Sequence, residues 1–92
     1  MDLQLNDKTA LVLAASKGIG AGVARGLAMA GCRVAIASSS RENILKRAEV
    51  IVAETGADVR AYQMDVTRPE EAGAATERIV AELGGVDIVV LN

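Results

Sequence analysis

The sequence predicts an α/β fold built on a parallel sheet, and three observations predict it. Short, continuous apolar runs alternate with longer amphipathic stretches from one end of the chain to the other. The first apolar run closes on a glycine-bearing turn, Ser16-Lys17-Gly18-Ile19-Gly20, that opens a helix. The apolar half of the composition is almost all Ala, Val, Leu and Ile; Trp and Phe are absent, and Tyr62 is the only aromatic residue. Small aliphatic side chains suit close packing of helices on a sheet, and they provide no stacking platform for nucleic acid.

Each element follows in order. About Thr9 to Ala14 is the first strand, a continuous apolar stretch closed by a turn of small residues. The next segment carries Ile19, Val23 and Leu27 on one helical stripe, with Ala24, Ala28 and Ala30 beside it and Gly31 as its C-cap. Arg33 to Ala37 is the second strand. Ser39 and Glu42 form an S-x-x-E capping box that starts a second helix. That helix aligns Ile44, Leu45, Ala48, Ile51 and Val52, and Gly56 stops it. Val59 to Met64 is the third strand. Thr67-Arg68-Pro69-Glu70 repeats the capping box, with proline in the first turn where its missing N–H costs nothing. The third helix presents Ala72, Ala75, Ile79, Val80 and Leu83 and ends at Gly84-Gly85; Val86 to Leu91 is the fourth strand.

The order β-α-β-α-β-α-β, with crossovers of this length, implies parallel strands joined by right-handed connections. It is the N-terminal part of a Rossmann-type, doubly wound sheet, in which the fourth strand lies beside the first. Ile88-Val89-Val90-Leu91 is apolar on both faces, as in a central strand covered by helices on each side. Nothing later in the 92 residues pairs with its free edge, and a flat apolar edge is a liability. Residues 1–92 are therefore expected to be the N-terminal portion of one nucleotide-binding domain, with no second domain. No repeat or low-complexity linker interrupts them.

Composition narrows the partners. Ten basic residues against twelve acidic ones leave no field to attract a polyanion, so nucleic acid is not expected. One cysteine, Cys32, excludes an intrachain disulfide and points to a reducing compartment, and its place before a strand reads as a small buried hydrophobe. Without histidine, a zinc site is not expected. The acidic N-terminus lacks the basic-then-apolar layout of a signal peptide, and no apolar run is long enough to span a bilayer. A cytoplasmic location, away from membranes, is the expectation.

The glycine turn carries the chemistry. A pyrophosphate approaches bare backbone N–H groups at a helix N-terminus, where the dipole favours negative charge, and side chains obstruct that approach. Gly18 and Gly20 suit it; the competing assignment is a strand-to-helix turn that needs glycine only for its dihedrals. An acid about twenty residues further on would bind the adenosine ribose and favour NAD. At that place stands Ser38-Ser39-Ser40-Arg41, with no acid. Three hydroxyls and a guanidinium form a cup for a ribose 2′-phosphate, and Lys17 adds positive charge nearby. NADP is accordingly favoured over NAD. The alternative is that the serines only cap the helix while Lys17 and Arg41 stay solvated. Asp65, after the third strand, can accept from an adenine amino group beside an apolar wall at Val66; Thr67 is better placed than Asp65 to cap the third helix. Asn92 ends the fourth strand next to the point where the strand order reverses, as a ligand contact or simply a loop residue.

Leu13-Ala14-Ala15-Ser16-Lys17-Gly18-Ile19-Gly20 resembles the Thr-Gly-x-x-x-Gly-Ile-Gly cofactor motif of the short-chain dehydrogenases/reductases, of which the 3-oxoacyl-carrier-protein reductases are one kind. Leu13 and Ala14 stand where that family has Thr and its first Gly. Asp65-Val66 matches the family's adenine-contacting position. Asp87 to Asn92 matches the strand entering its Asn-Asn-Ala-Gly motif, with Leu91 in place of the first Asn. The resemblance implies cofactor contacts at Ala14, Ser16, Lys17, Gly18, Ile19, Gly20, Ser38, Ser39, Arg41, Asp65, Val66 and Asn92. It also implies hydride transfer between a nicotinamide and a small carbonyl or secondary-alcohol substrate, in a homo-oligomer. The family's catalytic Tyr-x-x-x-Lys is absent: Tyr62 is followed four residues later by Val66. Without a proton donor against the carbonyl, these residues bind the cofactor but do not complete the reaction. The competing reading is a non-catalytic nucleotide-binding or interaction module made of half a Rossmann fold.

Overall fold

The computed structural model describes residues 5–13 and 18–91. Among them lie β1 (Thr9–Leu13), α1 (Gly18–Met29), β2 (Arg33–Ser38), α2 (Arg41–Thr55), β3 (Val59–Gln63), α3 (Pro69–Leu83) and β4 (Ile88–Val90). The strands form one sheet in the order β3-β2-β1-β4, and every pairing is parallel. This is the Rossmann arrangement that the alternating pattern predicts. β1 aligns Ala10, Leu11 and Val12 with Ile88, Val89 and Val90 on one side and with Val34, Ala35 and Ile36 on the other.

Side chains alternate between the two faces of a strand, so an apolar run feeds two cores at once. Ala10, Val12, Val34 and Ile36 pack with Ala24 and Ala28 of α1 and with Ile44, Ala48 and Ile51 of α2. Leu11, Ala35, Ala37 and Tyr62 pack on the opposite face against Ile79 and Leu83 of α3. Two helices therefore cover one face and one covers the other. Cys32 is buried in the first core, as expected of a small hydrophobe.

The structure corrects the expected stripe on α1. Ile19 is 77% exposed, and Val23 and Leu27 are only half-buried. The face turned to the sheet is instead Gly20, Ala21, Ala24 and Ala28. A face of glycine and alanine brings the helix backbone close to the sheet, where branched side chains would hold it away. On α2, Leu45 and Val52 flank the buried Ile44, Ala48 and Ile51 and are more than 40% exposed; Val80 does the same on α3.

Both capping boxes are also corrected. Ser40, not Ser39, caps α2: its backbone is extended and its hydroxyl accepts from Asn43 N–H at 3.3 Å. Glu42, one position too early for the box, pairs with Lys46 at 3.2 Å. Arg68 occupies the N-cap of α3 and makes no side-chain cap bond, and Pro69 follows it. Thr67 does not cap α3 because Asp65 has captured it. Gly31 does end α1: Cys32 N–H donates to the Leu27 carbonyl and Gly31 N–H to the Ala28 carbonyl, each at 3.1 Å. That pair of bonds needs a left-handed residue, and Gly31 has φ +99°.

Three strands differ in extent from the sequence expectation: β2 runs one residue further, to Ser38, β3 stops at Gln63, and β4 is shorter at both ends. β1 runs to Leu13, and Ala14 lies outside the described residues. β4 is three residues long, Ile88 to Val90, and pairs with Ala10 to Val12 of β1. Its other edge carries no strand among the described residues, and Val89 is 56% exposed.

Candidate nucleotide-binding edge

In a parallel sheet all the carboxyl ends lie along one edge, and here these are Leu13, Ser38, Gln63 and Val90. The chain leaves β1 toward β2 and β3, then returns to place β4 on the other side of β1. In doubly wound sheets such a reversal, here at β1 and β4, is where ligands bind.

α1 begins at this carboxyl edge, after β1. Gly18 has φ +67°, is exposed, and among the described residues would meet nothing within 4 Å if it carried a Cβ. Its glycine is therefore required by backbone conformation, and the space beside it is open. No acidic residue occupies the first turn of α1, so its free N–H groups present uncompensated positive potential. Gly20 differs: it is buried on the sheet-facing side, where it serves close packing. Ile19 projects into solvent. Ala14, Ser16 and Lys17 of the same turn, and Asn92 at the far end, lie outside the described residues.

The β2–α2 connection is held residue by residue. The Ser38 carbonyl accepts from Met64 N–H at 2.8 Å, and the buried Ser38 hydroxyl accepts from Ser40 N–H at 3.1 Å. The Ser39 carbonyl accepts from Gln63 Nε2 at 3.2 Å. Ser40 thus caps α2, the Ser38 hydroxyl holds the Ser40 N–H and keeps its own hydrogen to donate, and Ser39 stays exposed. Arg41 is the exposed first residue of α2 and forms no ion pair among the described residues. It lines a cavity of about 420 Å³, with Ile44, Leu45, Tyr62, Gln63 and Arg78, at the free edge of β3.

Asp65 is engaged rather than free. Its Oδ1 accepts from the Thr67 hydroxyl at 2.6 Å and from Thr67 N–H at 2.9 Å, and its Oδ2 lies 3.8 Å from Arg68 Nε. The Thr67 hydroxyl, then the Thr67 N–H, and last the Arg68 charge hold its carboxyl below the usual aspartate range. It therefore presents an ionised acceptor at the carboxyl end of β3. Val66 beside it is exposed.

Tyr62 is a buried strand residue. Its hydroxyl donates to Glu82 at 3.4 Å, and Arg78 lies 5.7 Å from its ring centre. Burial, then the Glu82 carboxylate, pushes its pKa up, the wrong direction for a proton donor at neutral pH. Gln63 is the member of this edge that sequence reading missed. A glutamine at the end of a strand carries no signal of the carbonyl it will reach on another connection. No helix of the described residues is long and apolar enough to cross a membrane.

Residues 8–92 match the family model of the short chain dehydrogenases. Galactitol 2-dehydrogenase of Agrobacterium fabrum is 36% identical over 90 residues, covering 98% of this chain and 34% of that protein. The 3-oxoacyl-acyl-carrier-protein reductase FabG of Escherichia coli is 38% identical over 90 residues, covering 98% and 35%. Among solved structures, L-sorbose reductase of Gluconobacter frateurii, crystallised with NADPH and L-sorbose, superposes with a TM-score of 0.90 at 28% identity. It covers 97% of this chain and 34% of its own. The chain thus spans about a third of the length of the relatives it matches.

Proposed function

The chain belongs to the short-chain dehydrogenase family, and on that premise we propose that it forms the NADP-binding part of a cytoplasmic oxidoreductase. The reaction is hydride transfer between a nicotinamide and a small carbonyl or secondary alcohol. The observation that carries the cofactor choice is Arg41: a guanidinium without an ion pair among the described residues, at the start of α2, after a connection that contains no acid. A ribose 2′-phosphate satisfies that group, whereas the 2′-hydroxyl of NAD finds no carboxylate to accept from it.

In this reading the turn from Ala14 through Ser16, Lys17, Gly18 and Ile19 to Gly20 binds the pyrophosphate at the N-terminus of α1. Ser38, Ser39 and Arg41 meet the 2′-phosphate, Asp65 and Val66 the adenine, and Asn92 the cofactor beside β4. The open space at Gly18 and the ionised Asp65 acceptor support the fit. NADPH in the sorbose reductase, a structural relative, agrees with it. When bound, the nicotinamide supplies or accepts the hydride. This chain's residues bind and orient; with no Tyr-x-x-x-Lys among the 92 residues, they do not themselves protonate the product.

The test is the pair of dissociation constants for NADPH and NADH on the full-length protein, followed by the fluorescence of the reduced nicotinamide. NADPH binding about tenfold or more tighter is expected, as one added charge-assisted contact provides. Equal affinities would reject NADP as the cofactor.

A further inference from the structure

We infer that Gln63 is a positioning residue for cofactor choice, holding the Ser39–Ser40 peptide so that Arg41 and the start of α2 face the adenosine phosphate. This rests on the NADP reading above. The peptide joining Ser39 to Ser40 is gripped at both ends: the Ser38 hydroxyl accepts from its N–H at 3.1 Å, and Gln63 Nε2 donates to its carbonyl at 3.2 Å.

The other bonds of the connection hold different groups. Met64 N–H fixes the Ser38 carbonyl as a continuation of the sheet, and the Ser40 hydroxyl fixes Asn43 N–H inside α2. Gln63 reaches this connection with a side chain from another element, β3. Without it the Ser39 carbonyl is left to water, and the peptide is held by its N–H alone. Arg41 is the next residue but one, so its direction depends on that plane.

The chemistry of position 63 matters in a second way. Gln63 and Arg41 line the same cavity at the β3 edge. A neutral amide there leaves the guanidinium available to an anion. A carboxylate of the same length would lose the donor to Ser39 and draw Arg41 toward itself.

The test uses the full-length protein with Gln63→Met, which keeps the length but loses the donor, and Gln63→Glu, which adds the competing charge. Dissociation constants for NADPH and NADH are measured on each, beside the melting temperature. NADPH affinity is expected to fall about fivefold in Gln63→Met and further in Gln63→Glu, with NADH affinity held within about twofold. Equal losses for both cofactors would mean that Gln63 serves only the fold, and no change in either would also overturn the inference. NADH binding as tight as NADPH in the unmodified protein would instead overturn the NADP reading itself, and this inference with it.

Discussion

Asp87 and Thr9 hold each other by two hydrogen bonds across 78 positions of sequence: Asp87 N–H donates to the Thr9 carbonyl at 2.8 Å, and Thr9 N–H donates to Asp87 Oδ2 at 2.9 Å. Thr9 is buried at the start of β1, and Asp87 immediately precedes β4. The clasp sets the register in which β4 meets β1. Arg33, at the start of β2, donates to the Thr9 hydroxyl at 3.0 Å and to the Leu83 carbonyl, so the last turn of α3 is tied to the same corner. These polar groups lock the amino-terminal end of the sheet.

Asp87→Ala should therefore cost about 1–2 kcal/mol, because the Thr9 N–H loses its acceptor in a place with little access to water. Asp87→Asn keeps an acceptor oxygen and should cost less. Urea unfolding of the three proteins decides it, and equal midpoints would show that the clasp contributes nothing.

Gly31→Ala should destabilise by about 1–2 kcal/mol, through a left-handed backbone that alanine adopts reluctantly. It should also suffer a collision of the new Cβ with Asn6 Oδ1. Asn6→Gly in the same chain removes the collision and leaves the backbone strain, so the double variant should recover part of the loss. A double variant no more stable than Gly31→Ala alone would exclude the collision.

Ser38→Asp should shift cofactor preference from NADP toward NAD by about tenfold or more, since a carboxylate repels a 2′-phosphate and accepts from a 2′-hydroxyl. The Ser38 hydroxyl accepts from Ser40 N–H, and aspartate keeps an acceptor for that bond. The ratio of the two dissociation constants, taken on one preparation, separates specificity from folding. An unchanged ratio would contradict the site assigned to the β2–α2 connection.

Asp65 should titrate below the ordinary aspartate range, and Thr67→Val should move it back up by removing the hydroxyl donor that does most to lower it. A carboxyl depressed in the folded state contributes stability that is full above its unfolded pKa. That contribution is lost as pH falls through the lower, folded value. Carbon-detected NMR titration of the Asp65 carboxyl reads the shift directly. If Thr67→Val leaves it in place, the hydroxyl is not its cause.

Much of this was legible in advance. The seven elements, their order and the parallel sheet follow from apolar runs, helical spacing and the glycines. Gly18 and Gly31 stand where a positive φ is needed, and both requirements are local. The errors share one origin. Ile19, Val23 and Leu27 make the more hydrophobic stripe, yet Gly20, Ala21, Ala24 and Ala28 face the sheet, because closeness of approach outweighs side-chain hydrophobicity there. Ser39 satisfies the box spacing, yet Ser40 takes the cap because the Ser38 hydroxyl and Gln63 hold the peptide before it. Thr67 satisfies the second box, yet Asp65, two residues earlier, captures it.

Which segments become strands and helices, and that the strands run parallel, depends on patterns within a few residues and on the lengths of the crossovers, and so can be read from the residues in order. Which stripe of α1 meets the sheet, the grip of Gln63 on the connection ahead of Arg41 and the closing of Arg33 on Leu83 emerge with the packed fold. Each of those joins groups brought together by the folded sheet, where distance and geometry select one partner among several that the sequence offers equally.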